Sequence, residues 1–306
     1  MLNSIVVIVN ASAGLGYCGD WSASLAEKFR AHGVEPDIVL AKSGDEMIAR
    51  ARRAVADRVN IVVAGGGDGT INAVASQLVD TDTHLGVLAL GTLNHFAKDM
   101  HIPLDLDEAV ANAVTGKPRR VDVGEVNGRI FLNNSSLGMY PDLVRDREQQ
   151  QKHLGRSKWH AFGRSLFVVL RRFPFMRVRL TINGQEHLRS TPFVFIGNNE
   201  YLQGLTIGER ERLDGGKLSL YVAQKPTRLG LLRYAVHALF NRLSAARDFD
   251  VLTASALEID TRRHHLRVAT DGEVTVMTPP LAYRSRAGAL SVIAPAAPAA
   301  TTTQAS

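Results

Sequence analysis

Short apolar runs alternate with amphipathic stretches over the first part of the chain. SIVVIVN (4–10) reads as a buried strand, Ser22 to Ala31 as a helix closed by Gly33, and PDIVLA (36–41) as a second strand. Ser43-Gly44-Asp45-Glu46 has the spacing of a capping box and predicts a helix to about Ala56. NIVVAG (60–65) and LGVLAL (85–90) read as third and fourth strands, with a helix after Thr70. Strands alternating with helices predict a mainly parallel sheet covered on both faces, an α/β domain over residues 1–120.

The period changes near Val121. VDVGEVNGRIFLNN carries Asn127-Gly128 between two β-like runs, and RVRLTINGQEHLRS carries Asn183-Gly184 in the same setting. Such dipeptides are strong hairpin signals. PFVFIGN (192–198), LSLYVAQ (218–224), SALEID (255–260) and HLRVAT (265–270) add strands. This half, 121–293, is predicted as an antiparallel β-sandwich, interrupted by a helical pair at about 157–172 and 227–243. APAAPAATTTQAS (294–306) is low in complexity and predicted to be a disordered tail.

Composition narrows the picture. A chain of 306 residues that is 45% hydrophobic can bury a substantial core. Its single cysteine, Cys18, excludes an internal disulfide and fits a reducing cytoplasm. The N-terminus lacks the basic region of a secretory signal, and no run approaches the ~20 apolar residues of a membrane span. The expectation is a cytoplasmic protein. The formal charge of +6 invites an anionic partner, whether nucleotide, nucleic acid or membrane. RNA-binding signatures with interleaved aromatics are absent, so no nucleic-acid partner is expected. No Cys/His cluster has zinc spacing.

The candidate chemistry begins at VVAGGGDGTINAVAS (62–76), where a strand runs into four glycines in five positions and opens a helix. Bare backbone N–H groups approach an anion closely, and a helix N-terminus adds positive potential. No Gly-Lys-Ser/Thr follows, so this is not a Walker A loop, and it lies too late for a dinucleotide fingerprint. Asp68 makes sense beside a magnesium ion, which favours hard oxygen ligands, and Thr70 can donate to a phosphate oxygen. The plain alternative is an ordinary strand–helix turn. Two more polar loops follow strand ends, Asn10 to Gly14 and Gly91-Thr92-Leu93-Asn94. In a parallel sheet all three converge on one edge, where ligands bind.

These segments resemble the diacylglycerol kinase catalytic-domain family, which includes soluble bacterial lipid kinases and sphingosine kinases and is distantly similar to NAD kinases. The resemblance rests on NASAG (10–14), GGDGTIN (66–72), GTLNHFAKDM (91–100), LDGGKLSLYV (213–222) and TDGE (270–273), in family order over nearly the whole chain. It implies an α/β nucleotide domain and a β-sandwich with the active site in the cleft between them, the chain's end packing back on the first domain, and ATP and Mg²⁺ as cosubstrates. Gly66, Gly67, Asp68, Gly69, Thr70 and Asn72 would line phosphates and metal, Thr92 would add a hydroxyl from the Gly91 loop, and Asn94 and Asn10 would lie close by. Asp271 and Glu273 match the acids that supply the family's catalytic base. On its own, Asp271-Gly272 reads as a hairpin turn; both readings can hold.

Three departures bear on this expectation. His95 stands where the family usually has Asp, Asn10-Ala11-Ser12-Ala13-Gly14 lacks the family's proline, and Gly215 replaces the second Asp of LDDG. That second Asp serves an accessory magnesium site in bacterial relatives, so either Asp214 substitutes as ligand or the ion is absent. From Arg145 to Arg179 ten Lys or Arg face two acids, a local +8, interleaved with Trp159, Phe162, Leu166 and Phe167. A basic amphipathic helix reads as a peripheral contact to an anionic inner membrane face, and equally as a core-packed helix with a solvated cationic side. The reading is an ATP- and Mg²⁺-dependent kinase of a diacylglycerol-like lipid. The alternatives are a kinase of a soluble substrate and a non-catalytic nucleotide- or membrane-binding module.

Overall fold

The computed structural model describes residues 4–11, 19–138, 175–201, 210, 212–223 and 249–296. The chain divides into two compact units, Met1–Val121 with Ala289–Ser306, and Asp122–Gly288.

In the first unit the chain runs β1 (Ile5–Asn10), α1 (Gly19–Ala31), β2 (Pro36–Ala41), α2 (Gly44–Ala56), β3 (Ile61–Gly66), α3 (Asp68–Leu78), β4 (His84–Ala89), α4 (His95–Asp99) and α5 (Leu106–Thr115). The strands lie in the order β2-β1-β3-β4, all parallel. Period-two alternation splits β1 between two layers. Ile5, Val7 and Val9 join Leu25, Phe29, Val110 and Ala113 of α1 and α5 in one core cluster. The opposite face is closed by α2 and α3, whose Met47, Ala51, Ile71, Val74 and Leu78 are buried. Ser43 caps α2 through the N–H of Glu46, at 3.2 Å, as the capping box predicts. Helix α1 begins three residues before the expected Ser22. Helix α3 begins at Asp68 rather than after Thr70, so the Asp-Gly-Thr triplet forms a helical turn instead of a loop.

In the second unit β5 (Lys117–Val126, shared with the first), β6 (Arg129–Phe131), β7 (Asn134–Gly138), β8 (Met176–Ile182), β9 (Gln185–Thr191), β10 (Phe193–Asn198), β11 (Leu218–Ala223), β12 (Phe249–Ala254), β13 (Ala256–Thr261), β14 (Leu266–Thr270), β15 (Glu273–Met277) and β16 (Leu281–Ala294) follow. One antiparallel sheet has the order β12-β11-β10-β7-β14-β15, and a second pairs β16-β13-β8-β9. Val178, Leu180, Leu257, Ile259 and Tyr283 of one layer meet Leu137, Val194, Ile196, Leu220 and Val268 of the other. This is an antiparallel β-sandwich. Three hairpins share one turn chemistry: Asn127-Gly128, Asn183-Gly184 and Asp271-Gly272 each have positive φ at both central positions.

The last strand serves both units. From Ala289 onward it belongs to the first, where Val292 lies parallel to Leu85, Ser291 Oγ sits 2.8 Å from His84 Nδ1, and Ile293 enters the α1–α5 core. The strand therefore extends to Ala294, where the tail was expected to begin; residues 297–306 lie outside those described. So do the expected helical pair, Ser12 to Gly14, Cys18, and all of the basic stretch except Phe175–Arg179 at the start of β8. There Arg177 and Arg179 are exposed. No helix among the described residues is long and apolar enough to cross a membrane.

Candidate functional site

The order β2-β1-β3-β4 places a topological switch point between β1 and β3, since the chain leaves β1 to one side and continues from β3 to the other. Ligands of open α/β sheets bind at the carboxyl ends of the strands at such a point. There Asn10 closes β1 and the glycine loop closes β3. Asn10 Nδ2 donates to Thr70 Oγ1 at 3.2 Å across the gap. The Thr70 hydroxyl proton stays available to an acceptor, while its side chain is otherwise buried.

Glycine is required here by contact rather than by backbone conformation, since neither Gly66 nor Gly91 has a positive φ. A Cβ on Gly66 would come within 2.6 Å of the Thr70 side chain, and one on Gly91 within 2.4 Å of the Gly67 Cα. The two loops therefore touch backbone to backbone. Gly67 occupies the N-cap of α3 and no side chain caps it, so the N–H groups of the first turn are left for an external anion. Asn94 takes a left-handed conformation, accepts from Gly91 N at 3.1 Å and donates to Gly91 O at 2.9 Å. Its buried amide folds the Gly91 loop rather than facing a ligand, whereas Thr92 is exposed. Asp68, in the first turn of α3, accepts from the Phe96 N–H at 3.2 Å through Oδ1 and so ties the two loops together. Asn72 is buried one turn further along the helix, and His95 begins α4.

Among the described residues no three His, Cys, Asp or Glu side chains gather as a metal site. That does not disfavour magnesium, which is held by one or two carboxylates with waters and substrate phosphates. Asp68 has a second hard oxygen for that purpose. Asp214 is different: it is exposed, with Oδ1 2.9 Å from Arg212 Nε. Beside it Gly215 N donates to Asn199 Oδ1 at 3.0 Å and Gly216 N to buried Asp122 Oδ2 at 2.6 Å. A cluster filled by N–H donors and a guanidinium does not suit a cation, so the donor set here does not fit the accessory ion.

In the second unit, Asp271 sits at the β14–β15 turn with φ of 48°. Its own N–H donates to Asn134 O, and its carboxylate accepts from the N–H groups of Leu132 (2.6 Å), Asn133 (2.9 Å) and Asn134 (3.0 Å). Partial burial pushes its pKa from 3.8 up to about 6, against the opposing pull of these three N–H groups and of Arg210. Among the described residues Oδ2 takes only the Leu132 N–H, leaving a lone pair for an incoming proton. Glu273 is exposed, with its Oε2 2.6 Å from Arg129 Nη2, and Arg129 Nε donates to Thr270 Oγ1 at 2.8 Å. The structure thus brings Asp68, Thr70, Asn10 and Asn94 together in one unit and Asp271 and Glu273 together in the other.

Sequence reasoning missed Arg210. It is buried and donates to Leu132 O (2.7 Å), Asn198 O (3.1 Å) and Asn133 Oδ1 (3.0 Å), bracing the segment that holds Asp271. No motif marks it, and an Arg among the alternating charges of GERERLDGG reads as surface. The same segment reaches an aromatic group: Tyr201 Oη donates to Asn133 O at 3.2 Å, and the Tyr201 ring lies 5.9 Å from Phe195 and 6.5 Å from Tyr221.

Residues 4–126, which carry the glycine loop, match the model of the diacylglycerol kinase catalytic domain. The first domain belongs to that family. Residues 144–294 match the YegS C-terminal NAD kinase beta sandwich-like domain. The diacylglycerol kinase of Bacillus subtilis (strain 168) is 30% identical over 169 residues, 54% of this chain and 56% of that protein. That of Staphylococcus aureus (strain JH9) is 27% identical over 188 residues, 60% of this chain and 58% of that protein. The chain therefore spans less than two thirds of the length of these relatives. A solved diacylglycerol kinase from Bacillus anthracis str. Sterne superposes with a TM-score of 0.68 at 20% identity, covering 95% of this chain and 97% of that one. A second structure from the same organism gives 0.73 at 22%, with the same coverage of both chains. At such identity the structures speak for the fold alone.

Proposed function

We propose that this diacylglycerol kinase-family chain is a lipid kinase that transfers the γ-phosphoryl group of ATP, with Mg²⁺, to a hydroxyl of diacylglycerol or a related lipid. The observation that carries the reading is Asp271: a carboxylate with pKa about 6, fixed by three backbone N–H groups, at the position of the family's DGE acid. A general base acts best with a pKa near the working pH. As the lipid oxygen bonds to phosphorus, the bond from phosphorus to the ADP oxygen breaks, and the hydroxyl proton passes to Asp271 Oδ2. The first-turn N–H groups of α3 and the Thr70 hydroxyl would hold the phosphates, and Asp68 would hold a magnesium ion, which would supply neutralisation of their charge. Glu273, paired with Arg129, steadies the turn that carries Asp271.

The test is transfer of labelled phosphate from γ-labelled ATP into a mixed lipid extract, with Asp271→Ala alongside. The reading expects label in one lipid band and its loss in the variant. Tight Mg-ATP binding without lipid label would turn the assignment to a soluble acceptor or a non-catalytic module. Contact with anionic membranes through 145–179 belongs to the same proposal: Arg171→Glu with Arg172→Glu should weaken sedimentation with anionic vesicles.

A further inference from the structure

The loop from β13 to β14 reads Arg262-Arg263-His264-His265, followed in β14 by Leu266 and Arg267, and no acid occurs from Thr261 to Thr270. All but Leu266 of these six are exposed. Thr261 is in register with Val178, which sets the start of the run beside exposed Arg177. The loop borders an open cavity of about 230 Å³ lined by Gly138, Arg263, His265, Leu266, Arg267 and Val276. Register explains its shape. Arg267 pairs with Val276 on the edge strand β15, and Leu137 with Val268, so Gly138 falls on the other side of Arg267. A Cβ on Gly138 would lie 2.4 Å from Pro192 O, and its φ is +98°, so only glycine fits and the floor stays open. No carboxylate lines the cavity among the described residues.

We propose that this cavity binds the phosphate of an anionic phospholipid headgroup and docks the second unit on a bilayer. Arg263, His265 and Arg267 line one space, and Arg forks match phosphate oxygens bidentately. The volume is below that of sites for drug-sized ligands and suits a headgroup. The rim adds Val276, an apolar side chain 65% exposed on a sheet edge, which places apolar surface next to the cationic floor as a lipid interface requires. The cavity lining contains no residue of the basic stretch 145–179 and needs no catalysis, so its test stands apart from the kinase reading.

The experiment is sedimentation of the full chain with phosphatidylcholine vesicles with and without phosphatidylglycerol. Wild type is compared with Arg263→Glu/Arg267→Glu and with Arg171→Glu/Arg172→Glu, and thermal unfolding monitors folding. The expected result is phosphatidylglycerol-dependent binding that falls about tenfold or more in Arg263→Glu/Arg267→Glu, given roughly 1 kcal/mol per cation at an anionic surface. Free glycerol phosphate should not displace the protein. If the double reversal lowers the unfolding temperature, Arg263→Gln in the exposed loop carries the test. Unchanged vesicle binding with a folded variant overturns the proposal, as does release by glycerol phosphate, which would make the cavity a site for a free phosphate ester.

Discussion

At the scale of single residues, three positions make separable predictions. Asp271 has a pKa raised to about 6, so lipid phosphorylation should rise with pH through that value and level off above it, when the base is unprotonated. The same shift acts on stability with the opposite trend. Between 3.8 and about 6 the folded state holds this proton more tightly than the unfolded state, so stability from this group is present below the unfolded value and declines as pH rises to about 6. Urea unfolding across that window should show the decline in wild type and not in Asp271→Ala. Asp68 offers a charge test. Asp68→Asn retains an acceptor for the Phe96 N–H but loses the anion. Transfer should drop by about a hundredfold or more at near wild-type stability, and titration of the rate against Mg²⁺ should show the metal dependence weakened. Gly91→Ala forces a Cβ onto the Gly67 Cα, so it should cost about 1–3 kcal/mol and impair ATP binding, read by thermal unfolding and nucleotide titration.

At the scale of elements, the two candidate loops are held by different means. The glycine loop is positioned by its helix: Asp68 to Asn72 form the first turns of α3, and Asn94 folds the neighbouring loop from within. The Asp271 turn is positioned by a neighbouring segment, 132–134, whose N–H groups it accepts and whose carbonyl and amide groups Arg210 binds in turn. Arg210→Met should therefore act at a distance. It removes a cation that lowers the Asp271 pKa and leaves buried carbonyls without that donor. The activity limb should move to higher pH, with a loss of about 2–4 kcal/mol in unfolding free energy. The pH shift separates a positioning role from plain destabilisation. The Asx-Gly turns were legible beforehand because both central residues tolerate positive φ. Arg210 was not legible, because burial of a charge is a property of its surroundings.

At the scale of the whole molecule, the first unit is completed by residues far along the chain. Asn112 Nδ2 donates to Ile293 O at 3.3 Å, and Asp80 N donates to Ala289 O at 2.8 Å. Val292 extends the sheet beyond Leu85 of β4. A chain ending at Gly288 keeps GGDGT and every group proposed to face phosphate but opens this edge and uncovers Leu85, Val110 and Ala113. It should lose ATP binding and unfold at lower temperature than the full chain, as calorimetry with and without Mg-ATP would show.

The local patterns determined the alternation of strand and helix in the first unit, the period-two strands of the second, the hairpin turns and the glycine loop. Each depends on residues close together in sequence, where periodicity, φ preference and backbone access act directly. Tertiary structure alone decided that Asp68 opens a helix and bridges to Phe96, and that Asn94 serves its own loop. It also decided that Asp271 is held by the 132–134 segment and braced by Arg210, and that the final strand belongs to both units. Those outcomes depend on partners between 28 and 139 residues away for Asp68 and Asp271, and long-range pairing is set by which surfaces can be buried together rather than by any neighbouring residue.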